Sequence, residues 1–543
     1  MFPSFPSFPE MSEAIFFLLI VSGVFALCVT GLISMIVRKE KKGSPPLWGW
    51  KYFFLLVALF TIFALFATHG TGDFEENTGM HGAAYDDLAA HLLRGSVTVD
   101  MVDVLEDTII VNGKTTMYFG PLPALLRMPV LQLSPSLNGH LPRSFSFAAA
   151  ILLAAAVILV FHEELGRNTK LKRTTKHVLL ILSVVGVCLG TTVPYLVAEA
   201  SVFNEAILWA FCSWMWAAYF FFSLLRPEGG SAWHLLGFSV AAACALLSRV
   251  TFGIPLYVIL TLLSVMIFFR SRLPWLQGKH IFRSFSGSRR RLVLVIALCL
   301  LPAALALLFQ FRYNAARFGS ALTFDDPGHK LYCQMGNESL CANIVAYGSF
   351  NLRRLPTLAG IYFRPVIDDV SFWRTIPFAP VSDVLPWKLD ENVLSLTILS
   401  PWLLLGSLAG FVSLWRERNT LKIVAALLFL GQAVLILSYY LATERYVTDL
   451  YPLPIFGYAA CLASAGNGHL IPWVKARWCR AGIVGLLSVS VCCSALLGGA
   501  VAFLWSTWQP WELPLGKVQP QAMEGAKRWL CSMRNDCPAT NLK

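Results

Sequence analysis

Carboxylates gather in one short stretch of this sequence: Asp73, Glu75 and Glu76, then Asp86 and Asp87. Farther along, Glu199 and Glu205 flank Phe203-Asn204 between two apolar runs. A positioned carboxylate can take the proton of an attacking hydroxyl when its pKa suits the task. Two arginines stand in comparable surroundings. Arg249 lies in Ser248-Arg249-Val250-Thr251, and Arg445 lies in Glu444-Arg445-Tyr446, shortly before Asp449. A guanidinium offers a planar fork that matches a phosphate, so Arg249 is a candidate for gripping a phosphate. Blander readings stand beside these. Asp86 and Asp87 favour the N-terminal end of a helix, Glu205 simply opens one, and an interfacial arginine can snorkel.

The elements that must position these groups are membrane spans. Of the 543 residues, 56% are hydrophobic and 14% charged, and the mean hydropathy is +0.63. A soluble domain carries about a quarter charged residues. The net charge of +12 does not point to nucleic acid, because the basic residues sit between apolar runs and form no basic stripe with aromatics. A span needs about twenty apolar residues. Such runs fall at 14–37, 51–68, 144–163, 177–198, 206–225, 233–248, 253–269, 292–311, 394–415, 423–442, 452–467 and 481–504. The expected fold is an all-α polytopic membrane protein of about twelve transmembrane helices, occupying 1–504, with a tail at 505–543.

Loop charge sets the orientation. Arg38 to Lys42, Arg167 to Lys176, Arg226, Arg270 to Arg291, Arg416 to Lys422 and Lys475 to Arg480 mark one alternating set of short basic loops. The positive-inside rule places these in the cytoplasm. Both termini and two large loops, 69–143 and 312–393, are then exterior. The first ten residues lack a basic region and do not read as a cleaved signal. Loops of this size suit an enzyme working at the outer membrane surface.

The first exterior loop has a readable local structure. Leu88, Leu92 and Leu93 share one helical face after Asp86-Asp87, and Gly95 fits the end of that helix, which is expected to lie on the membrane. Asn112-Gly113 is a hairpin turn between two short strands, giving the loop a mixed α/β character. Gly120-Pro121-Leu122-Pro123 opens a second helix.

The order of these motifs resembles the type C glycosyltransferases: a span, acidic residues at its outer end, a helix ending Leu-Leu-Arg-Gly, then Gly-Pro-Leu-Pro-Ala-Leu-Leu. The stretch from Tyr85 to Pro129 is most similar to a bacterial group of multi-spanning proteins in that superfamily. Asn204-Glu205, Ser248-Arg249, Arg317-Phe318-Gly319 and Arg445-Tyr446 to Pro452 carry the likeness onward. The resemblance implies transfer of a sugar from a polyprenyl-phosphate donor to a glycan, lipid or protein acceptor. It implies a bacterial inner membrane, with the site facing the periplasm or exterior. A first-loop Asp, either Asp73 or Asp86 with Asp87 beside it, would be the base or would hold a divalent metal such as Mg or Mn. Glu205 would assist, and Arg445 and Tyr446, with Arg249, would bind the donor phosphate. The family's paired acids at the helix exit are not reproduced cleanly, so Asp73 and Asp86 stay as alternatives.

Thirteen cysteines are present. Most fall in spans, where they pack as small apolar residues. Cys333 with Cys341, and Cys531 with Cys537, are close exterior pairs expected to form disulfides. His-Glu-x-x-His, Walker and Gly-x-Gly-x-x-Gly motifs are absent from the sequence, which leaves zinc proteolysis, ATP-driven transport and Rossmann cofactor binding without support. A transporter or lipid flippase is the alternative from another class, and would place charges at mid-membrane depth on broken helices. A scaffold of the cell envelope is a third.

Overall fold

The computed structural model describes residues 18–31, 33, 50–75, 82–104, 107–226, 230–269, 285, 288–324, 329–331, 338–364, 394–465 and 477–507. Glu76, Cys333, Cys531, Cys537 and the side chain of Cys341 lie outside them, so the expected disulfides do too. No disulfide forms among the described cysteines.

Helices dominate. In chain order they are α1 (Leu18–Gly31) and α2 (Trp50–Ala67), then α3 (Ala84–Leu93), α4 (Met101–Val104) and α5 (Leu122–Leu133) of the first loop. There follow α6 (Pro142–Arg167), α7 (Arg173–Leu189), α8 (Val193–Ala198), α9 (Val202–Leu224), α10 (Ala232–Ser248), α11 (Val250–Phe269) and α12 (Arg289–Phe318). The second loop contributes α13 (Glu338–Tyr347) and α14 (Leu355–Phe363). The chain continues through α15 (Leu396–Leu399), α16 (Pro401–Arg416), α17 (Thr420–Leu437), α18 (Val447–Leu450), α19 (Pro452–Ser464) and α20 (Arg477–Thr507). Six of these helices are long and apolar enough to cross a membrane: α6, α9, α11, α12, α17 and the 482–503 part of α20. The protein is an all-α membrane protein, and each of the twelve expected spans overlies a helix.

Two expected spans are interrupted, and two neighbouring ones are divided by a single residue. Arg249 alone separates α10 from α11, in an extended conformation of φ −154° and ψ 118°. Gly190 to Thr192 break the helix between α7 and α8, and Ser400 breaks it between α15 and α16. Prolines follow each of the latter breaks, Pro194 and Pro401, where a missing N–H costs no helical bond. Elsewhere packing is tight. α16 crosses α19 so closely that a Cβ at Gly410 would fall 1.7 Å from the Gly457 carbonyl oxygen. Gly406 and Gly410 form the small-xxx-small face that permits this approach.

The first loop folds as expected in its local turns. β1 (Ile109–Val111) and β2 (Lys114–Thr116) pair antiparallel with Val111 opposite Lys114. Asn112 and Gly113 both take positive φ, 52° and 70°, as a type I′ turn requires. Gly95, at φ 76°, ends α3 in a left-handed cap, with Gly95 N–H donating to Leu92 O and Ser96 N–H to His91 O.

One expectation about α3 changes. Instead of presenting a single apolar face, its first two turns are buried on all sides, Asp86 and Asp87 included, while Leu93 is exposed. The cause is the loop's own core, in which Tyr85, Leu88 and Ala89 pack with Met117, Phe119, Leu131 and Leu141. Val202 and Ala206 of α9 and Tyr313 of α12 join that core and seat the loop on the helical bundle. The second loop braces it further. Lys330 bridges to Ile109, and Leu331 N–H donates to Thr108 O at 2.8 Å. Arg317, near the end of α12, donates to the carbonyls of Met117 and Phe119 at 2.5 and 3.2 Å.

Candidate active site

A lone arginine in the apolar sequence of α5 organises the first loop. Arg127 is fully buried. Its Nε lies 2.5 Å from Asp86 Oδ1 on α3. Its two terminal nitrogens donate to Glu205 Oε1 and Oε2 on α9, at 2.6 and 2.7 Å. Asp86 Oδ2 accepts the backbone N–H groups of Gly139 and Leu141 at 2.9 and 3.0 Å. Trp209 Nε1 donates to Glu205 Oε1 at 3.2 Å. The structure therefore brings two of the sequence candidates, Asp86 and Glu205, onto one guanidinium, with every carboxylate oxygen engaged. Sequence reasoning did not single out Arg127. The available signal was a charged residue that apolar neighbours leave no surface to face.

Asp87 points elsewhere. Its Oδ2 accepts the Asp100 N–H at 2.6 Å, and its Oδ1 lies 3.5 Å from His91 Nε2. Burial pushes its carboxyl up from the ordinary range, against the pull of the Asp100 N–H and of His91. Asp103, one helical turn beyond Asp100, is pushed up to about 6 by burial and by the charges of Asp87, Asp100 and Asp86.

The arginine candidates meet at an aromatic ring. The Arg249 guanidinium carbon lies 4.8 Å from the centroid of Tyr446, and that of Arg445 lies 5.7 Å from the same ring. Arg445 also covers Phe203, at 4.4 Å. Arg249 Nε donates to Asp449 Oδ1 at 2.9 Å, and Thr251 Oγ1 donates to the same oxygen at 3.0 Å. The helix break places Arg249 here, and α18 places Asp449. The first loop closes over this point. A Cβ at Gly120 would meet the carbonyl oxygens of Leu247 and Ser248 at 2.2 and 2.4 Å, so only glycine allows the Phe119-Gly120 turn to lie against the end of α10. Phe119 packs edge-on against Phe203, with ring centroids 5.1 Å apart.

Asp73 is exposed just beyond α2. Its Oδ1 accepts the Glu75 N–H at 2.8 Å. Four residues earlier, His69 Nε2 donates to Ala198 O at 2.9 Å. That bond joins the exit of α2 to the turn carrying Glu199, a half-buried carboxylate that accepts from Asn204 Nδ2 at 3.2 Å. Phe203, under Arg445, begins the next helix. The His69–Ala198 bond thus ties the exit of α2 to the α8–α9 turn, and Arg445 covers Phe203 at the start of α9.

Of the two alternatives for a metal ligand, Asp86 does not fit in this arrangement. Asp86 has both oxygens committed to Arg127 and two amides, and a cation there would face the guanidinium. Among the described residues, the group of three metal-ligating side chains close enough to share an ion is Asp87, His91 and Asp100.

No protein-family model and no curated protein matches the sequence. Solved structures do. The apo oligosaccharyltransferase of Archaeoglobus fulgidus aligns over 84% of this chain and 56% of its own, at 14% identity and a TM-score of 0.46. The archaeal oligosaccharyltransferase AglB from the same organism, in complex with an inhibitory peptide and a dolichol-phosphate, aligns over 85% and 56%, at 14% identity and a TM-score of 0.44. ArnT from Cupriavidus metallidurans bound to undecaprenyl phosphate aligns over 84% and 77%, at 11% identity and a TM-score of 0.39. The chain spans 56% of the length of the first two. These identities and scores describe the chain trace and carry no residue-level correspondence.

Proposed function

We propose that the protein is a membrane glycosyltransferase that moves a sugar from a polyprenyl-phosphate donor to a glycan, lipid or protein acceptor. One observation carries this reading: Arg249 and Arg445, far apart in sequence, converge on Tyr446 beneath the first loop. Two guanidinia at one point suit a phosphate that leaves as an anion. The acceptor oxygen attacks the anomeric carbon. The bond to the donor phosphate breaks, and the lipid phosphate departs with the electron pair toward Arg249 and Arg445. Asp73 takes the acceptor proton, as an exposed first-loop carboxylate four residues after His69, whose bond to Ala198 ties the exit of α2 to the α8–α9 turn. Glu199 stands as the second carboxylate. Asp86 and Glu205, held by Arg127, fix the loop over the site.

On this reading the twelve helices each cross the membrane, the short basic loops face the cytoplasm, and the site opens to the periplasm or exterior. The test uses purified protein in proteoliposomes with polyprenyl-phosphate donors carrying labelled hexose or pentose. Label appearing in an acceptor supports the proposal. Movement of intact donor across the bilayer without transfer would instead establish a flippase.

A further inference from the structure

We infer that the first loop carries a second, distinct site for a single divalent transition-metal ion, formed by Asp87, His91 and Asp100. The three side chains offer one donor atom each, and these atoms all lie within 4.8 Å of one another. Asp87 and His91 face the same way because they sit four residues apart on α3. Asp100 arrives from the segment leading to the hairpin, and its N–H donates to Asp87 Oδ2 at 2.6 Å.

The histidine is oriented from outside the group. His91 Nδ1 is hydrogen-bonded to Thr98 Oγ1 at 2.8 Å. That bond turns the ring so that Nε2 faces Asp87 Oδ1 at 3.5 Å and Asp100 Oδ1 at 3.8 Å. A metal-binding histidine is commonly held in this way, through its other ring nitrogen. Asp87 is more than nine-tenths buried, and its Oδ1 faces His91 Nε2. An ion held at about 2.0–2.2 Å by tetrahedral nitrogen and oxygen ligands separates its donors by about 3.3 Å. The observed spacings, 3.5 and 3.8 Å from His91 Nε2 and within 4.8 Å overall, are wider, so the side chains must turn inward to close on an ion. Imidazole beside two carboxylates favours Zn2+ or a neighbouring transition metal over Mg2+ or Ca2+, which prefer all-oxygen sites. Asp100 is 71% exposed at its side chain, so the ion has an entry path and room for a water ligand.

The site is separate from the transfer chemistry. Asp87 and Asp86 are adjacent, but Asp86 is turned onto Arg127. The ion would staple α3 to the strand segment, where Val99 N–H already donates to Thr115 O at 3.0 Å.

The test is Zn2+ binding to the detergent-purified full chain by equilibrium dialysis, with Mn2+ and Mg2+ in parallel arms. Wild type is expected to take up one Zn2+ per chain and to gain thermal stability with added Zn2+. Asp100→Asn and His91→Gln are each expected to weaken Zn2+ binding at least tenfold. Thr98→Val, which only frees the ring, is expected to weaken it about tenfold while the unliganded melting temperature stays put. Asp73→Asn is expected to leave Zn2+ binding unchanged, which separates this site from the transferase reading. Because Asp100 is exposed, its variant folds. Unchanged Zn2+ affinity in Asp100→Asn, or no Zn2+ uptake by wild type, would overturn the assignment.

Discussion

Arg127 grips Glu205 with both terminal nitrogens, at 2.6 and 2.7 Å, while its Nε faces Asp86. All three side chains are buried, and they join two loop helices to a long bundle helix. Removing one partner of such a group strands charges of the others in a low-dielectric interior, at a cost of about 3–5 kcal/mol. Arg127→Ala is therefore expected to lower the melting temperature sharply and to reduce yield. Arg127→Lys should do nearly the same, because one ammonium cannot face two carboxylates on different helices. Differential scanning fluorimetry in detergent reads both. A wild-type melting temperature in Arg127→Ala would remove the clip from the account.

Much of the local loop structure was legible because single residues dictate it. Asn112-Gly113 specifies its turn, Gly95 its cap and Pro121-Leu122-Pro123 its helix start. The helices beneath the twelve apolar runs were legible from hydropathy alone. The Arg127 clip was not, since hydropathy and periodicity say nothing about which charges meet across 78 positions. The pairing changes how two candidate carboxylates read: Asp86 and Glu205 look catalytic in sequence and are engaged as anchors in the fold. The breaks at Gly190 and Ser400 were also hidden, because the apolar runs continue straight through them.

Gly410 tests the packing of the bundle. A Cβ there would fall inside the Gly457 carbonyl, a backbone atom that cannot rotate away. Overpacking typically costs about 1–3 kcal/mol, and a backbone clash lies at the upper end. Gly410→Val is expected to abolish a monodisperse peak in size-exclusion chromatography. Gly431→Val, with open space around its position, should elute as wild type. Equal behaviour of the two would contradict the α16–α19 approach.

Asp449 is expected to act through Arg249. Its Oδ1 accepts from both Arg249 Nε and Thr251 Oγ1, fixing the guanidinium proposed to face the donor phosphate. A hydrogen bond to a charged group contributes about 1.5–3 kcal/mol, so its loss is roughly a ten- to hundredfold effect. Asp449→Asn should raise the KM for the lipid donor by that factor, with a smaller change in kcat. Arg249→Lys should resemble it, and Arg445→Lys should also weaken donor binding. An effect of Asp449→Asn on kcat alone would point to a different role.

Asp73 carries the heaviest chemical claim. It is exposed, its carboxylate accepts the Glu75 N–H, and the His69–Ala198 bond ties the preceding turn to the α8–α9 turn. Asp73→Asn keeps the shape and an acceptor oxygen, so the melting temperature should not move. Loss of a general base typically lowers the rate about a hundredfold to ten-thousandfold. The fall should appear in kcat with the donor KM nearly unchanged, because on the proposed reading Arg249 and Arg445 would still hold the phosphate. Asp86→Asn should behave in the opposite way, losing stability first and transfer in proportion to the protein that remains folded. Single-turnover transfer measured beside thermal unfolding separates the two. Full transfer in Asp73→Asn, together with a wild-type melting temperature and lost transfer in Asp86→Asn, would return the base to Asp86.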